Sequence, residues 1–366
     1  MYELEGLEDI FFIMLYGGST LIAVFSCSYL LFTRGNLFLA SIHPPKALRR
    51  WTAAFLASVA ASHVWWSLLG IYWLVDDRLL RNIVAITLDR LTFVPLMMCV
   101  LLRLLQDRKR SLWPVWVAMI PVAVIAVNCI VTRNQAFESY LEFYSFLIGT
   151  AFAVYYVRAI HQYGRWLHDN YADLEHKEIW QSLLLMAFIL FVYMAYATNA
   201  GALLTEYLAQ VNTLIIIVFI LWRVETLQQL DNNTEDMVAD GNDETNQTSA
   251  PNDIGALLVR HCKLPQLYLR HDLTLQQLAV CIGTNRTYLS SYFAEHDMTY
   301  NAYINRLRIE HFMSLYSKAR KSSLPIIAKD LAAQSGYSSY MTFGAAFKRY
   351  TGSTVTAWMN QQEDEE

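Results

Sequence analysis

LPIIAKDLAAQSGYSSYMTFGAAFKRYTG, residues Leu324–Gly352, reads as two short helices around a glycine. Ile327, Leu331 and Ala332 recur at helical spacing before Gly336, and Phe343 and Phe347 recur four apart after it. Two apolar-faced helices joined by a short Gly-containing turn have the plan of a helix-turn-helix. The stretch is mildly basic and soluble in character. It nevertheless closes a chain whose first 224 residues are dominated by long apolar runs.

The same plan occurs upstream. LTLQQLAVCIGTNRTYLSSYFAEH, Leu273–His296, places Leu275, Leu278, Ala279 and Ile282 on one face before Gly283. Tyr288, Leu289, Tyr292 and Phe293 form a second face after it. Between the two units, MTYNAYINRLRIEHFMSLY (Met298–Tyr316) reads as a long amphipathic helix with Tyr303, Leu307, Ile309, Phe312 and Leu315 inward.

Two such units joined by a helix containing NRLRIE resemble the DNA-binding domain of the AraC/XylS family of bacterial transcription regulators. The resemblance covers about residues 255–360 and rests on Ala332, Gly336, Tyr337, Phe343, Phe347, Lys348 and Gly352 in register. Val355 and Trp358–Met359 depart from the family's pattern near the C-terminus. The resemblance implies that Gly336–Gly352 holds the turn and recognition helix of the second unit, read out in a DNA major groove. It implies base-facing positions at Thr287, Ser290 and Ser291 in the first unit, and at Tyr340, Met341, Thr342 and Ala345 in the second. Phosphate contacts would come from Arg286, Lys348 and Arg349, with Asn285 and Ser339 at the helix N-termini. The base-facing set is small or apolar and lacks an arginine–guanine pair, so thymine-methyl contacts and DNA deformability would carry more of the readout.

Charge fits an anionic partner. Residues 254–362 hold 12 Lys+Arg and 5 Asp+Glu, although the whole chain carries −4. Residues 226–252 hold six acidic residues, no Lys or Arg and no aromatic residue. They are expected to form a flexible tether of about 30 Å, with the preceding helix running on to about Leu230. The division expected is a membrane domain over 1–225, the linker 226–252, the DNA-binding domain 253–360 and an acidic tail 361–366.

The first part is a membrane sequence. The chain of 366 residues is 55% hydrophobic and only 16% charged, with a mean hydropathy of +0.25. Seven segments have the length and apolarity expected of spans: 10–33, 51–74, 83–105, 113–132, 140–160, 179–200 and 207–223. Pro114 and Pro121 fall in the fourth, which membrane helices tolerate. The acidic start MYELEGLED argues against a cleaved signal peptide. Twelve Lys and Arg lie at one face, in 34–50, 106–112 and 161–178 and at Arg103, Arg158 and Arg223, against Arg78, Arg81 and Arg133 at the other. That bias places the N-terminus outside and the C-terminal domain in the cytoplasm of a multi-pass bacterial inner-membrane protein.

Catalytic signatures are missing from the sequence. There is no HExxH, no Gly-rich phosphate loop and no lysine within a span to hold retinal; Lys46, Lys109 and Lys177 lie in loops. His161, His168 and His176 share the loop 161–178 and read as solvated. Cys27, Cys99, Cys129, Cys262 and Cys281 read as free thiols. No cofactor, metal or enzymatic activity is expected. His63, Trp66, Asp89, Arg90 and Glu142 put polar groups in or at the spans. They read either as a structural ion pair with interfacial aromatics or as an outward-facing ligand pocket.

The expected fold is therefore all-α: a seven-transmembrane bundle, then a cytoplasmic AraC-type double helix-turn-helix domain. The expected role is a membrane-anchored transcription regulator. Its partners would be double-stranded DNA, the lipid bilayer, a second copy of itself in a homodimer, and an unknown small-molecule or envelope signal. Two rivals stand beside it: a receptor whose cytoplasmic domain binds a protein, and a membrane enzyme or transporter with an appended regulatory module.

Overall fold

The computed structural model describes residues 7–39, 42–70, 78–132, 136–189, 202–230, 253–322 and 327–364. These are nearly all helical; among them one antiparallel bridge, Tyr171 to Thr274, is the only extended pairing. The chain divides into two compact units. One comprises Met1–Tyr163 with Ile179–Asn232, the other Gly164–Glu178 with Asn233–Glu366.

The first unit contains α1 (Leu7–Phe32), α2 (Lys46–Gly70), α3 (Arg78–Leu104), α4 (Trp113–Ala118), α5 (Ile120–Thr132), most of α6 (Ala136–Asn170) and α7 (Ala202–Thr226). α2 packs between α1 and α3, α3 also meets α5, and α7 returns onto α1 and α2. Much of the outer surface is apolar: Phe11, Met14, Phe25 and Phe32 of α1 are exposed, as are Val124 and Val131 of α5. Exposed apolar side chains on successive turns suit a hydrocarbon surround rather than water.

Five described helical segments are long and apolar enough to cross a membrane, not the seven expected: Ile10–Phe32, Ile83–Leu104, Trp113–Thr132, Ser139–Asn170 and Tyr207–Thr226. The second expected span forms α2, which is long enough. The end of that expected span, 71–74, lies outside the described residues. The sixth is helical over 182–189, and the rest of its expected range lies outside the described residues.

Local chemistry sets other boundaries. The fourth expected span breaks at Met119. Pro121 has no N–H to offer the Val117 carbonyl, and the Met119 N–H turns back to the Trp116 carbonyl at 3.1 Å. α6 runs on through Asn170, so His161 and His168 are helical rather than in a loop, while His176 sits beyond the helix at φ +60°. α7 stops at Thr226 rather than near Leu230. Residues 227–230 stay packed because the Gln229 N–H donates to the His43 carbonyl at 3.0 Å and the Leu230 N–H to Gln106 Oε1 at 2.9 Å. Just before, buried Glu225 accepts the Tyr29 hydroxyl at 2.9 Å and faces Arg49 at 3.4 Å. The linker expected over 226–252 lies outside the described residues from 231 onward.

The second unit is built on one long helix. α8 (Ile254–Leu258), capped by the Asp253 carboxylate, passes into a π-turn at Val259–Lys263 and a 3-10 turn at Leu267–Leu269. α9 (Leu275–Cys281) starts in a capping box. Thr274 Oγ1 accepts the Gln277 N–H at 3.2 Å, and Gln277 Oε1 accepts the Thr274 N–H at 3.0 Å. Gly283, at φ +75°, turns the chain into α10 (Arg286–Glu295). Then come α11 (Tyr300–Lys321), α12 (Ala328–Gln334), Gly336 at φ +89°, α13 (Tyr340–Thr351) ended by Gly352 at φ +80°, and α14 (Val355–Asp364).

α11 serves two cores. Its first half sends Tyr300, Tyr303, Ile304 and Leu307 into a cluster with Leu275, Leu278, Ala279, Leu289 and Phe293. Its second half sends Ile309, Phe312 and Tyr316 against Leu331, Ala332, Phe343 and Phe347. Each fully buried phenylalanine here stands to lose about 3–5 kcal/mol on truncation to alanine. Val355 is buried, and Trp358 packs edge-on against Phe347 and Tyr316, so the unusual C-terminal residues are packing residues of the second core. Ile327 is the exception among the expected inward residues. It occupies the N-cap position of α12 and is 56% exposed.

All five cysteines are free, as expected. Cys262 is sealed in the first core and burial pushes its thiol up to about 12, while Cys281 is exposed at the end of α9. In the native chain near about pH 8, N-ethylmaleimide is therefore expected to label Cys281 and spare Cys262. Peptide mapping after a timed pulse checks this; equal labelling would show that the first core opens readily.

Candidate nucleic-acid interface

The two glycine turns present α10 and α13 as the second helices of two helix-turn-helix units. Their inward positions are used up by packing: Leu289 and Phe293 in α10, Phe343 and Phe347 in α13. What remains outward at the helix starts is the set expected to meet DNA. Asn285 is the N-cap of α10, its side-chain oxygen accepting the Tyr288 N–H at 2.9 Å. Thr287 and Ser291 are exposed and Arg286 and Ser290 half-exposed.

On the second unit Ser339 is the N-cap of α13, and its side chain makes no capping hydrogen bond. Tyr340, Met341 and Ala345 are exposed, Met341 at 79%, and Thr342 is half-buried. Lys348 and Arg349 occupy the last turn of α13, where cations also suit the helix dipole. The structure thus leaves each expected DNA-facing residue at least partly open.

The two units are locked together behind these helices. Buried Arg308 of α11 donates from Nε to the Tyr268 carbonyl at 2.7 Å and from Nη2 to the Arg270 carbonyl at 2.6 Å. Its guanidinium lies 5.5 Å from the centre of the Tyr337 ring. Burial lowers its pKa, opposed by Tyr337, Tyr300 and Asp173, and at physiological pH it stays charged. His271 Nδ1 lies 3.0 Å from the Gly336 carbonyl. Segment 268–271 of the first unit is thereby tied to the turn of the second.

A feature that the sequence reading missed lies in the same unit. Gly164–Glu178, read only as a charged loop, packs here. Ala172 is buried in the first core, and Ser338, beside the α13 cap, donates to Asp173 Oδ2 at 2.6 Å. Burial lowers the Lys177 pKa, against the raising effects of Asp173, Glu175 and Asp272. Nothing in the local sequence signals the contacts to Thr274, Asn301 and Ser338, because each of these lies more than 100 residues away.

In the first unit the five polar candidates fall into separate groups. Asp89 accepts from Ser62 at 2.6 Å and from Trp66 Nε1 at 2.8 Å. His63 lies instead beside Gln210 Oε1 at 2.9 Å and Ser19 Oγ at 3.2 Å, with Tyr16 donating to the His63 carbonyl. Arg90 follows Asp89 on α3, and it is Ser62 and Trp66 that hold the carboxylate. Glu142 is exposed on α6. Among the described residues no group of His, Cys, Asp and Glu is arranged to hold a metal ion.

A helix-turn-helix domain family model, of the AraC type, matches residues 260–361. Over 94 residues the chain is 31% identical to two uncharacterized HTH-type transcriptional regulators of Staphylococcus aureus, one from strain MRSA252. That stretch is 25% of this chain and only 12% of either relative. No solved structure matches. Residues 260–361 are thus matched as a helix-turn-helix domain of the kind found in those transcription regulators.

Proposed function

We propose that the chain is a membrane-anchored transcription regulator. Two helix-turn-helix units share one long helix, with the starts of α10 and α13 free of the core, and this observation carries the reading. Arg286, Lys348 and Arg349 hold phosphates; Thr287, Ser290, Ser291, Tyr340, Met341, Thr342 and Ala345 face base edges. The apolar helices of the first unit anchor it in the inner membrane, N-terminus outside and helix-turn-helix domain in the cytoplasm. The membrane domain runs to about residue 230, and the rest of the expected linker, 231–252, tethers it to the DNA-binding domain. The first unit senses a small-molecule or envelope signal, for which the Trp66–Asp89 pair and His63 are the candidate residues. The regulator acts as a homodimer, in which membrane pairing raises the effective affinity of two tethered domains for DNA.

The test is selection of random-sequence duplexes by the full chain in lipid nanodiscs. Enrichment of a common site is expected. Affinity for it should fall with salt, and Lys348→Gln or Arg349→Gln should each reduce the log–log salt slope by about one. If no site is enriched, either by wild type or by a chain lacking the carboxylates at 173 and 175, a protein partner becomes the better reading.

A further inference from the structure

Residues 164–178 continue α6 and lead to the helical stretch at 182–189, yet they belong to the helix-turn-helix unit. Their anchor is buried. Asn301 of α11 donates to the backbone carbonyls of Tyr171 at 3.1 Å and Ala172 at 2.8 Å. Tyr171 forms the antiparallel bridge to Thr274, the cap of α9, and Lys177 lies 5.7 Å from the Tyr171 ring centre. A chance surface contact would not bury Ala172 to 3% exposure and occupy a buried asparagine that is itself only 5% exposed.

The anchor aims carboxylates at the second reading helix. Asp173 accepts the Ser338 hydroxyl at 2.6 Å, and Glu175 Oε2 lies 3.4 Å from both Ser338 Oγ and Thr342 Oγ1. Asp169, at the end of α6, is within electrostatic reach of Arg286, the first residue of α10. Hydroxyls and cations at helix starts are the donors that a DNA phosphate would use. Here carboxylate oxygens take the Ser338 and Thr342 hydroxyls at the start of α13, and their charge repels phosphate. We propose that segment 164–178 is a built-in competitor of DNA, docked at the start of the second recognition helix and released when the first unit moves α6. This rests on the DNA-binding reading above. It places the signal path in the loop after α6 rather than in the linker.

The full chain in phosphatidylcholine–phosphatidylglycerol nanodiscs tests it. Asp173→Asn with Glu175→Gln keeps the segment's shape and removes the two charges. Asn301→Ala frees the anchor without touching a DNA-facing residue. The probe is the duplex most enriched from a random-sequence pool by D173N/E175Q chains. If the docked state outweighs the free one by about tenfold, both variants should bind this duplex about tenfold more tightly than wild type. Glu295→Gln with Asp297→Asn removes two exposed carboxylates elsewhere in the unit and should leave affinity within about twofold. Equal affinity of wild type and both variants would overturn the proposal, as would a charge control that rises as much as D173N/E175Q. Amide exchange gives an independent reading: residues 171–175 should lose protection when the duplex binds. Retained protection in the DNA complex would overturn competition while leaving DNA binding intact. Failure of every chain to enrich any duplex would defeat the DNA-binding reading itself, and the competitor role with it.

Discussion

Arg308→Met is expected to unfold the helix-turn-helix unit more readily than any surface change, by about 4 kcal/mol. Three losses combine. Two carbonyls, the buried one of Tyr268 and the part-buried one of Arg270, lose their charged donors. Each orphaned acceptor costs about 1–3 kcal/mol. The Tyr337 ring loses the cation beside it, worth up to about 2 kcal/mol when desolvated. Methionine restores apolar volume and burial, which offsets part of this. The measurement is native-state amide exchange of α11 in the full chain, where about 4 kcal/mol appears as exchange about a thousandfold faster. Arg308→Lys should fall between the two, since one ammonium cannot reproduce the planar fork that reaches both carbonyls. Exchange within about threefold of wild type in Arg308→Met would mean that the two cores hold each other without this residue.

The residues that make this unit recognisable in the sequence act locally. Thr274 and Gln277 cap α9, Gly283 and Gly336 turn the chain, and Leu275, Leu278, Leu289, Phe343 and Phe347 repeat at helical spacing. Period and caps are short-range signals, so the helices, the turns and most of the core are legible in the residue order alone. Ile327 misled because its spacing matched Leu331, but it precedes the helix rather than joining it.

The candidate DNA surface was legible for the same local reason, since it is what the packed face leaves over. The docked segment was not. Asp173 and Glu175 are ordinary loop carboxylates in sequence, and their meaning comes from Ser338 and Thr342, more than 160 residues on. Arg308 lies between these cases. NRLRIE announces a helix, but a guanidinium buried against two carbonyls from residues about 40 positions earlier has no periodic signature.

Gly336→Ala is expected to cost about 3 kcal/mol, and Gly283→Ala only about 1. Both glycines have positive φ, +89° and +75°, so a methyl is strained at either by about 1 kcal/mol. The surroundings separate them. A Cβ at Gly283 meets nothing within 4 Å. At Gly336 it would sit 2.8 Å from both the Cα and the carbonyl oxygen of Leu269, and 3.1 Å from Arg308 Nε. Leu269 is backbone and cannot swing aside, so segment 268–271 must move. That movement pulls the Tyr268 and Arg270 carbonyls off Arg308 and strains the His271 contact to the Gly336 carbonyl. Gly336→Ala should therefore already forfeit part of what Arg308→Met forfeits. The double variant should be less destabilised than the two singles together, by about 1 kcal/mol or more. Exchange rates in α11 and α13 across the four chains measure this directly. Strict additivity would mean that the methyl is absorbed by a local shift of the 336–339 turn, leaving the Arg308 lock closed.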